Sequence, residues 1–409
     1  MTQPVKIISV VGARPNFMKI APFIHAVKAH NQAVGISATA RQIKHLLVHT
    51  GQHYDKRMSQ AFFDSLNIPR PDLDLEIGSG SHANQVGNTM IAFEKVIREH
   101  QPDWVIVVGD VNATCACSIT AKKEHVKLAH IEAGLRSFDL DMPEEINRMV
   151  TDRLADLLFT TDAIASENLR KEGVPDAKIK EVGNIMIDTL EAHREAAAEM
   201  DVEDIIHRNA IVPDSCDNSP SAKTPQAEMP ALQSYALMTM HRPSNVDQQN
   251  ILEPLMRFLL DTVCADMPLV WPIHPRTNKQ LKSFGLWDEV STHGNMILLH
   301  PVGYHEMLRL NMGASLMLTD SGGLQEECCV LGTPCMTLRW NTERPITLRD
   351  HGGASVLVGN AVEKLRETYH DLRHHPRKPR RPPLWDGATA GRIVTELASP
   401  RPKRIDRGC

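Results

Sequence analysis

The chain has 409 residues, of which 42% are hydrophobic and 23% charged, with a formal charge of -5. That length exceeds what one hydrophobic core ordinarily serves, so two domains are expected. The charge balance of 45 Lys plus Arg against 50 Asp plus Glu lacks the basic footprint of a nucleic-acid binder, and no apolar run approaches the roughly 18 residues of a membrane span.

Lys6–Gly12 (KIISVVG) reads as a buried strand running into a loop rather than as a secretory signal, followed by a helical run from Phe17 to about His30. Asp103–Asp110 (DWVIVVGD) is the clearest strand: continuously apolar, closed by Gly-Asp, and followed by a predicted helix over Ala113–Glu124. KLAHIEAG, DLLFTT and KIKEVGN continue the alternation. From about Asp201 to Met229 a stretch rich in Ser, Pro and Asn breaks it and reads as a surface loop or insertion. A second series opens at Ser234–His241 (SYALMTMH) and runs through PLVWPIH, NMILLHPV, ASLMLTD and PCMTLR. A proline-rich connector, HHPRKPRRPPLW, then leads to a terminal helix over Asp386–Ala398. Continuous apolar strands alternating with helices require a parallel sheet covered on both faces. The fold class is therefore α/β, with two Rossmann-like domains and an interdomain active-site cleft. The expected boundaries are residues 1–200, an insertion at 201–230, and 231–380, with helix 386–398 packing back on the first domain.

In such folds ligands sit beyond the carboxyl ends of the strands. The first strand ends in Gly12-Ala13-Arg14, with Lys19 one turn into the next helix, a cationic anion site. Asp110, Glu132 and Glu144, with Glu145, Arg136 and Arg148 nearby in sequence, read either as helix caps and ion-pair partners or, arriving from neighbouring elements, as a like-charge cluster suited to proton transfer. His241 and Arg242, and His274 and Arg276, stand at strand ends of the second half. Ser321-Gly322-Gly323 opens a helix without Cβ obstruction to a phosphate, Glu327 lies one turn deeper as a ribose acceptor, and Arg344 is a phosphate candidate. Neither a P-loop nor a Gly-x-Gly-x-x-Gly fingerprint occurs, so no nucleotide cofactor is implied. The histidines lack metal-ligand spacing, and no metal is expected. Eight scattered cysteines without CxxC spacing read as small buried hydrophobes in a reducing compartment.

GARPNFMKIAP, HTGQHYD, VVGDVNAT, HIEAGLRS, PEEINR, the His-Arg pair, DSGGLQEE and TERP occur in this order. Together they resemble the non-hydrolysing UDP-N-acetylglucosamine 2-epimerases from about Val5 to Ala398, outside the insertion. The resemblance implies a cytoplasmic homodimer of the glycosyltransferase-B type, without cofactor, serving polysaccharide synthesis. UDP would be eliminated across C1 and C2 of the sugar to leave 2-acetamidoglucal, then re-added with inverted C2, interconverting UDP-GlcNAc and UDP-ManNAc. It implies Asp110, Glu132, Glu144 and His241 as catalytic residues. Arg14, Lys19, Gln85, Arg136, Ser321, Gly322, Gly323, Glu327 and Arg344 would bind substrate, and Gln52 and His274 a second, activating UDP-GlcNAc. The chain departs from the family pattern at Asn16, where Glu is frequent, at Pro243 within the His-Arg element, and at Ile346 after TERP. The alternatives are a 2-epimerase of a related UDP-acetamido sugar, the hydrolysing branch, or a non-catalytic UDP-sugar-binding protein. The hydrolysing branch carries an Arg-Ala-Asp-Tyr pattern that Arg14–Phe17 lacks.

Overall fold

The computed structural model describes residues 3–34, 41–51, 66, 68–211, 232 and 234–399. It divides into two compact units, residues 1–189 with 382–409, and residues 190–381. The boundary falls inside a helix, α5 (Ile185–Ala198), rather than at residue 200.

Unit 1 carries seven described strands, all parallel: β1 (Val5–Val11), β2 (Ile43–His49), β3 (Leu73–Asp74), β4 (Trp104–Val108), β5 (Lys127–Ala133), β6 (Leu157–Thr160) and β7 (Ile179–Glu181). Their order is β3-β2-β1-β4-β5-β6-β7. Every residue of β4 is buried, as a central strand with helices on both faces demands. The helices that frame the site are α1 (Arg14–Val34), α2 (His82–His100), α3 (Asn112–Lys123) and α4 (Pro143–Leu154).

Unit 2 repeats the plan with six described parallel strands: β8 (Ala236–Thr239), β9 (Leu269–Pro272), β10 (Met296–Leu299), β11 (Leu316–Thr319), β12 (Cys335–Thr337) and β13 (Ser355–Leu357). The order is β10-β9-β8-β11-β12-β13. Residues expected to begin a structureless insertion instead form α6 (Val202–Asn209), capped by the Asp201 side chain, with Ile205 and Ile206 fully buried. Local composition concealed it because few apolar side chains pin this short helix, Ile205 and Ile206 with Val202 partly buried beside them. The remainder of that insertion, 212–231, lies outside the described residues. Helices α7 (Tyr304–Gly313) and α8 (Gly322–Leu331) carry the site of this unit.

The terminal helix, α9 (Thr389–Ala398), returns to unit 1 and packs on α1. The Asp188 carboxylate receives Thr389 N–H at 3.1 Å and Ala390 N–H at 2.7 Å, a cap supplied from another helix. Burial lifts the Asp188 carboxyl above its usual range in spite of those bonds. Six buried cysteines, Cys115, Cys117, Cys264, Cys328, Cys329 and Cys335, are free thiols.

Candidate active site

In each sheet the order reverses once, between β1 and β4 in unit 1 and between β8 and β11 in unit 2. A crevice opens at such a point because successive crossovers leave on opposite faces, and the strand ends beside it are where ligands bind. The sequence candidates collect at these two places.

In unit 1, Asn16 bridges the two strands that flank the reversal. Its Oδ1 accepts from Ala13 N–H at 2.9 Å, and its Nδ2 donates to the Val108 carbonyl at 2.9 Å. A glutamate here would lack the donor, so the departure from the family pattern supplies a backbone clasp. Gly109 follows with φ +68, and an added Cβ there would stand 3.3 Å from Asn16 Nδ2 and 3.5 Å from Lys19 Nζ. Glycine is thus favoured by the left-handed conformation, with a tight contact to Asn16 besides.

Lys19 Nζ meets Glu132 Oε2 at 2.5 Å, with side-chain exposures of 11% and 2%. Glu132 is placed by a bulge: β5 and β6 pair Ile131 with Phe159 but Ala133 with Thr160, leaving Glu132 over. Its φ is +70, a conformation that is strained by about 1–3 kcal/mol for a side chain of this kind and that gathers at functional sites. The Oε1 oxygen of Glu132 is buried without a hydrogen-bond partner among the described residues. A buried carboxylate held by one cation, with one acceptor unused, is equipped to take a proton from a ligand.

Asp110 stands at the end of β4, where Arg148 Nη2 reaches its Oδ2 at 2.6 Å. Arg148 also pairs with Glu145, which in turn accepts from Ser137 N–H at 3.0 Å and Phe138 N–H at 3.0 Å. Glu144 opens α4 half-buried, with no hydrogen bond or ion pair to the described residues. Glu132 is paired with Lys19 and Asp110 with Arg148, each carboxylate compensated by its own cation. Gln85 accepts from Asn112 Nδ2 at 2.7 Å, beside the first turn of α3.

Arg136 corrects the reading of that residue as a ligand contact. Its guanidinium is 2% exposed and is committed to Asp152 at 2.7 Å, Glu172 at 2.7 Å and the Leu135 carbonyl. Burial alone would lower its pKa, but Glu172 and Asp152 together raise it. Asp152 also faces His130 at 2.6 Å, and His130 Nε2 lies 2.9 Å from the Gly109 carbonyl. The network props the turn from beneath. Arg14 opens α1, and Gln52 lies outside the described residues.

In unit 2, His241 and Asp320 face each other across the reversal, with Nδ1 3.0 Å from Oδ1. Asp320 Oδ2 accepts from His241 N–H at 2.9 Å, Arg242 N–H at 2.7 Å and Asn245 Nδ2 at 3.2 Å. Burial pushes the Asp320 carboxyl up, yet these partners more than offset it and hold it below the usual carboxylate range. The His274 ring lies 5.4 Å from His241. Its Nδ1 accepts from Arg276 N–H at 3.1 Å, and burial and the neighbouring His241 depress its pKa.

Ser321 caps α8, and Gly322 and Gly323 form its first turn, whose N–H groups have no intrahelical acceptors. A Cβ on Gly323 would meet nothing within 4 Å, whereas one on Gly322 would stand 2.8 Å from Arg344 Nη1 and 2.9 Å from Glu343 Oε1. Arg344 is itself held by Glu326 at 2.6 Å and by Glu343. These partners hold the guanidinium against the glycine turn. Burial pushes the Glu327 carboxyl up to about 7, against the opposing Tyr304 hydroxyl and Asn311 amide. Its Oε2 has no hydrogen-bond partner among the described residues.

Residues 37–398 match the family model for UDP-N-acetylglucosamine 2-epimerase. The chain belongs to the UDP-N-acetylglucosamine 2-epimerase family. It is 37% identical to the UDP-N-acetylglucosamine 2-epimerase of Methanocaldococcus jannaschii, covering 96% of this chain and 98% of that one. The crystal structure of that archaeal enzyme with UDP-GlcNAc and UDP matches with a TM-score of 0.81 at 37% identity, over 96% and 99% of the two chains. A UDP-2,3-diacetamido-2,3-dideoxy-D-glucuronate 2-epimerase of Pseudomonas aeruginosa is 36% identical over 89% of this chain and 91% of its own length.

Two positioned residues escaped the sequence reading of this family member. Asn16 was visible only as a departure from a motif. Asp320 lies at the head of the run DSGGLQEE, where an aspartate before the glycines carries no separate signal.

Proposed function

We propose that this epimerase interconverts UDP-GlcNAc and UDP-ManNAc by eliminating UDP and adding it back, without releasing the sugar to water. The carrying observation is Glu132: buried, strained, paired with Lys19, and with one oxygen unused. Removal of the poorly acidic C2 proton needs such a base, while the C1–O bond breaks and its electron pair leaves with the diphosphate. Asp110 and Glu144 are the companion acid/base groups, and Arg14, Lys19 and Gln85 orient the sugar. His241 and the Ser321–Gly323 turn receive the charge of the departing UDP, with Glu327 on the ribose. Re-addition to C1 with protonation of the opposite face of C2 completes a redox-neutral cycle, so the reading includes no nicotinamide or metal. Gln52 and His274 are proposed contacts for a second UDP-GlcNAc.

A homodimer belongs to the same proposal. Phe138 and Leu140 are 76% and 63% exposed, and Ile146 and Met149 on α4 are 45% and 42% exposed. Four exposed apolar side chains within twelve residues of unit 1 are the candidates for a face covered by a second copy. Ile146→Glu with Met149→Glu should convert a dimer to a monomer by light scattering; a parent chain already monomeric would refute it. No described helix is long and apolar enough to cross a membrane, and the buried free thiols support a reducing, cytoplasmic setting.

The deciding measurement is proton NMR of the purified chain with UDP-GlcNAc in deuterated water. UDP-ManNAc deuterated at C2 is the expected product. Free ManNAc plus UDP would assign the hydrolysing reaction. Absence of turnover and exchange, with turnover of the diacetamido glucuronate nucleotide, would assign the substrate class of the Pseudomonas relative.

A further inference from the structure

His241 is 40% exposed at its side chain, whereas Asp320 is fully buried. One face of the imidazole is therefore open and the other fixed. The fixing is over-determined: one Asp320 oxygen takes the His241 and Arg242 N–H groups and the Asn245 amide, and the other faces His241 Nδ1. Asn245 is tied onward to the Leu338 carbonyl at 2.9 Å, so the carboxylate is anchored to both neighbouring strand ends. Three N–H donors on one oxygen, with His241 Nδ1 3.0 Å from the other, keep the carboxylate an anion in spite of burial. An anion beside Nδ1 selects the tautomer that carries hydrogen there and leaves Nε2 as the outward nitrogen.

The adjacent histidine has the opposite arrangement. His274 spends Nδ1 as an acceptor for Arg276 N–H, and the Arg276 guanidinium is itself held by Asp247. Among the described residues no carboxylate is hydrogen-bonded to the His274 ring, so the two rings are not interchangeable.

We infer that Asp320 is a positioning residue for the epimerase reaction: it holds His241 with Nδ1–H on the carboxylate, so that Nε2 delivers its proton to the diphosphate oxygen released from C1. The inference rests on the proposed contact of His241 with UDP. In elimination the C1–O bond breaks, its electron pair stays on the diphosphate oxygen, and that oxygen takes the Nε2 proton of the His241 imidazolium, which is left as the neutral ring with hydrogen on Nδ1. In re-addition the oxygen returns the proton to Nε2 as it bonds to C1. Asp320 remains ionised throughout and stabilises the imidazolium, with no proton transferred to it.

The first test needs no turnover. Nitrogen-15 NMR of the histidine-labelled full chain, with His241→Asn used to assign the signal, reads which ring nitrogen of His241 bears hydrogen in the neutral form. Hydrogen on Nδ1 is expected, and hydrogen on Nε2 alone would overturn the inference. The second test is Asp320→Asn, for which a kcat loss of about a hundredfold or more is expected, with KM and UDP affinity changed less than about threefold. Equal losses in KM and UDP binding would show a merely structural role and overturn it. If Asp320→Asn does not fold, Asn245→Ser loosens the same carboxylate and should lower kcat in the same selective way; an unchanged kcat would overturn the inference. His241→Asn separates the two levels. Full activity in that variant removes His241 from the reaction, whereas an inactive His241→Asn beside a fully active Asp320→Asn defeats the Asp320 inference alone.

Discussion

The two strand-order reversals share one topology and carry different chemistry. In unit 1 the crevice holds side-chain charges in pairs, Lys19 with Glu132 and Arg148 with Asp110. In unit 2 it holds the start of a glycine-opened helix and one carboxylate that orients a histidine. Backbone N–H groups suit an anion that is bound throughout, because their dipoles are fixed and need no titration. Proton abstraction needs a side chain whose protonation changes, and the bulge at Glu132 aims one. On the proposed reading, the same scaffold separates holding from reacting by what it places at equivalent strand ends.

The sharpest way to break this comparison is Glu132→Gln. It preserves shape and removes the base, and C2 deuterium exchange should fall about a thousandfold while UDP affinity stays near that of the parent chain. A matching loss of UDP binding would show that unit 1 also holds the nucleotide.

Arg136→Leu tests the separation of support from site within unit 1. Stranding Asp152 should destabilise the chain by about 3–5 kcal/mol in urea unfolding. At a temperature where the variant is folded, KM should be nearly unchanged. A KM rise in an undiminished fold would restore Arg136 as a ligand contact.

Glu327→Gln probes the buried acid of unit 2 through pH. The folded-state value of about 7 lies above the ordinary 4.5. The neutral carboxyl therefore costs no ionisation below about pH 4.5, and stability is lost as pH rises through about 7. The glutamine variant should gain nothing near pH 4 and about 3 kcal/mol relative to the parent chain near pH 8. Equal stabilities at both pH values, by urea titration, would show that Glu327 is not strained by burial.

Smallest is Gly322→Ala. The new Cβ would press on Arg344 and Glu343, so UDP affinity should fall by about 1–2 kcal/mol, read by calorimetry. Gly323→Ala, facing open space, should leave the folded chain's stability within about 1 kcal/mol of the parent by urea unfolding. Equal UDP affinities for Gly322→Ala and the parent would show that the brace around Arg344 is compliant.

Much of this was legible in the chain itself. The run Trp104–Val108 is apolar at every position because both faces of β4 are covered, and that pattern exposes the strand directly. Gly109-Asp110 and Ser321-Gly322-Gly323 stood out because tight turns at strand ends admit few residue types. Other features were hidden. α6 depends on Ile205 and Ile206 finding a core supplied by residues far along the chain. The partners of Arg136 and Arg344 were hidden because a motif shows a charge but not what faces it, and Glu172, Glu326 and Glu343 had to be brought beside them.

By itself, the order of apolar runs and glycine-acid turns determined two parallel α/β domains and which strand ends carry polar groups, since burial pattern and backbone conformation are local constraints. Tertiary structure alone decided which carboxylate is compensated, which arginine is spent and which nitrogen of His241 faces outward. Electrostatic roles depend on what lies within about 4 Å in space, and residues such as Lys19 and Glu132, or His241 and Asp320, reach that distance only when their strands are laid side by side.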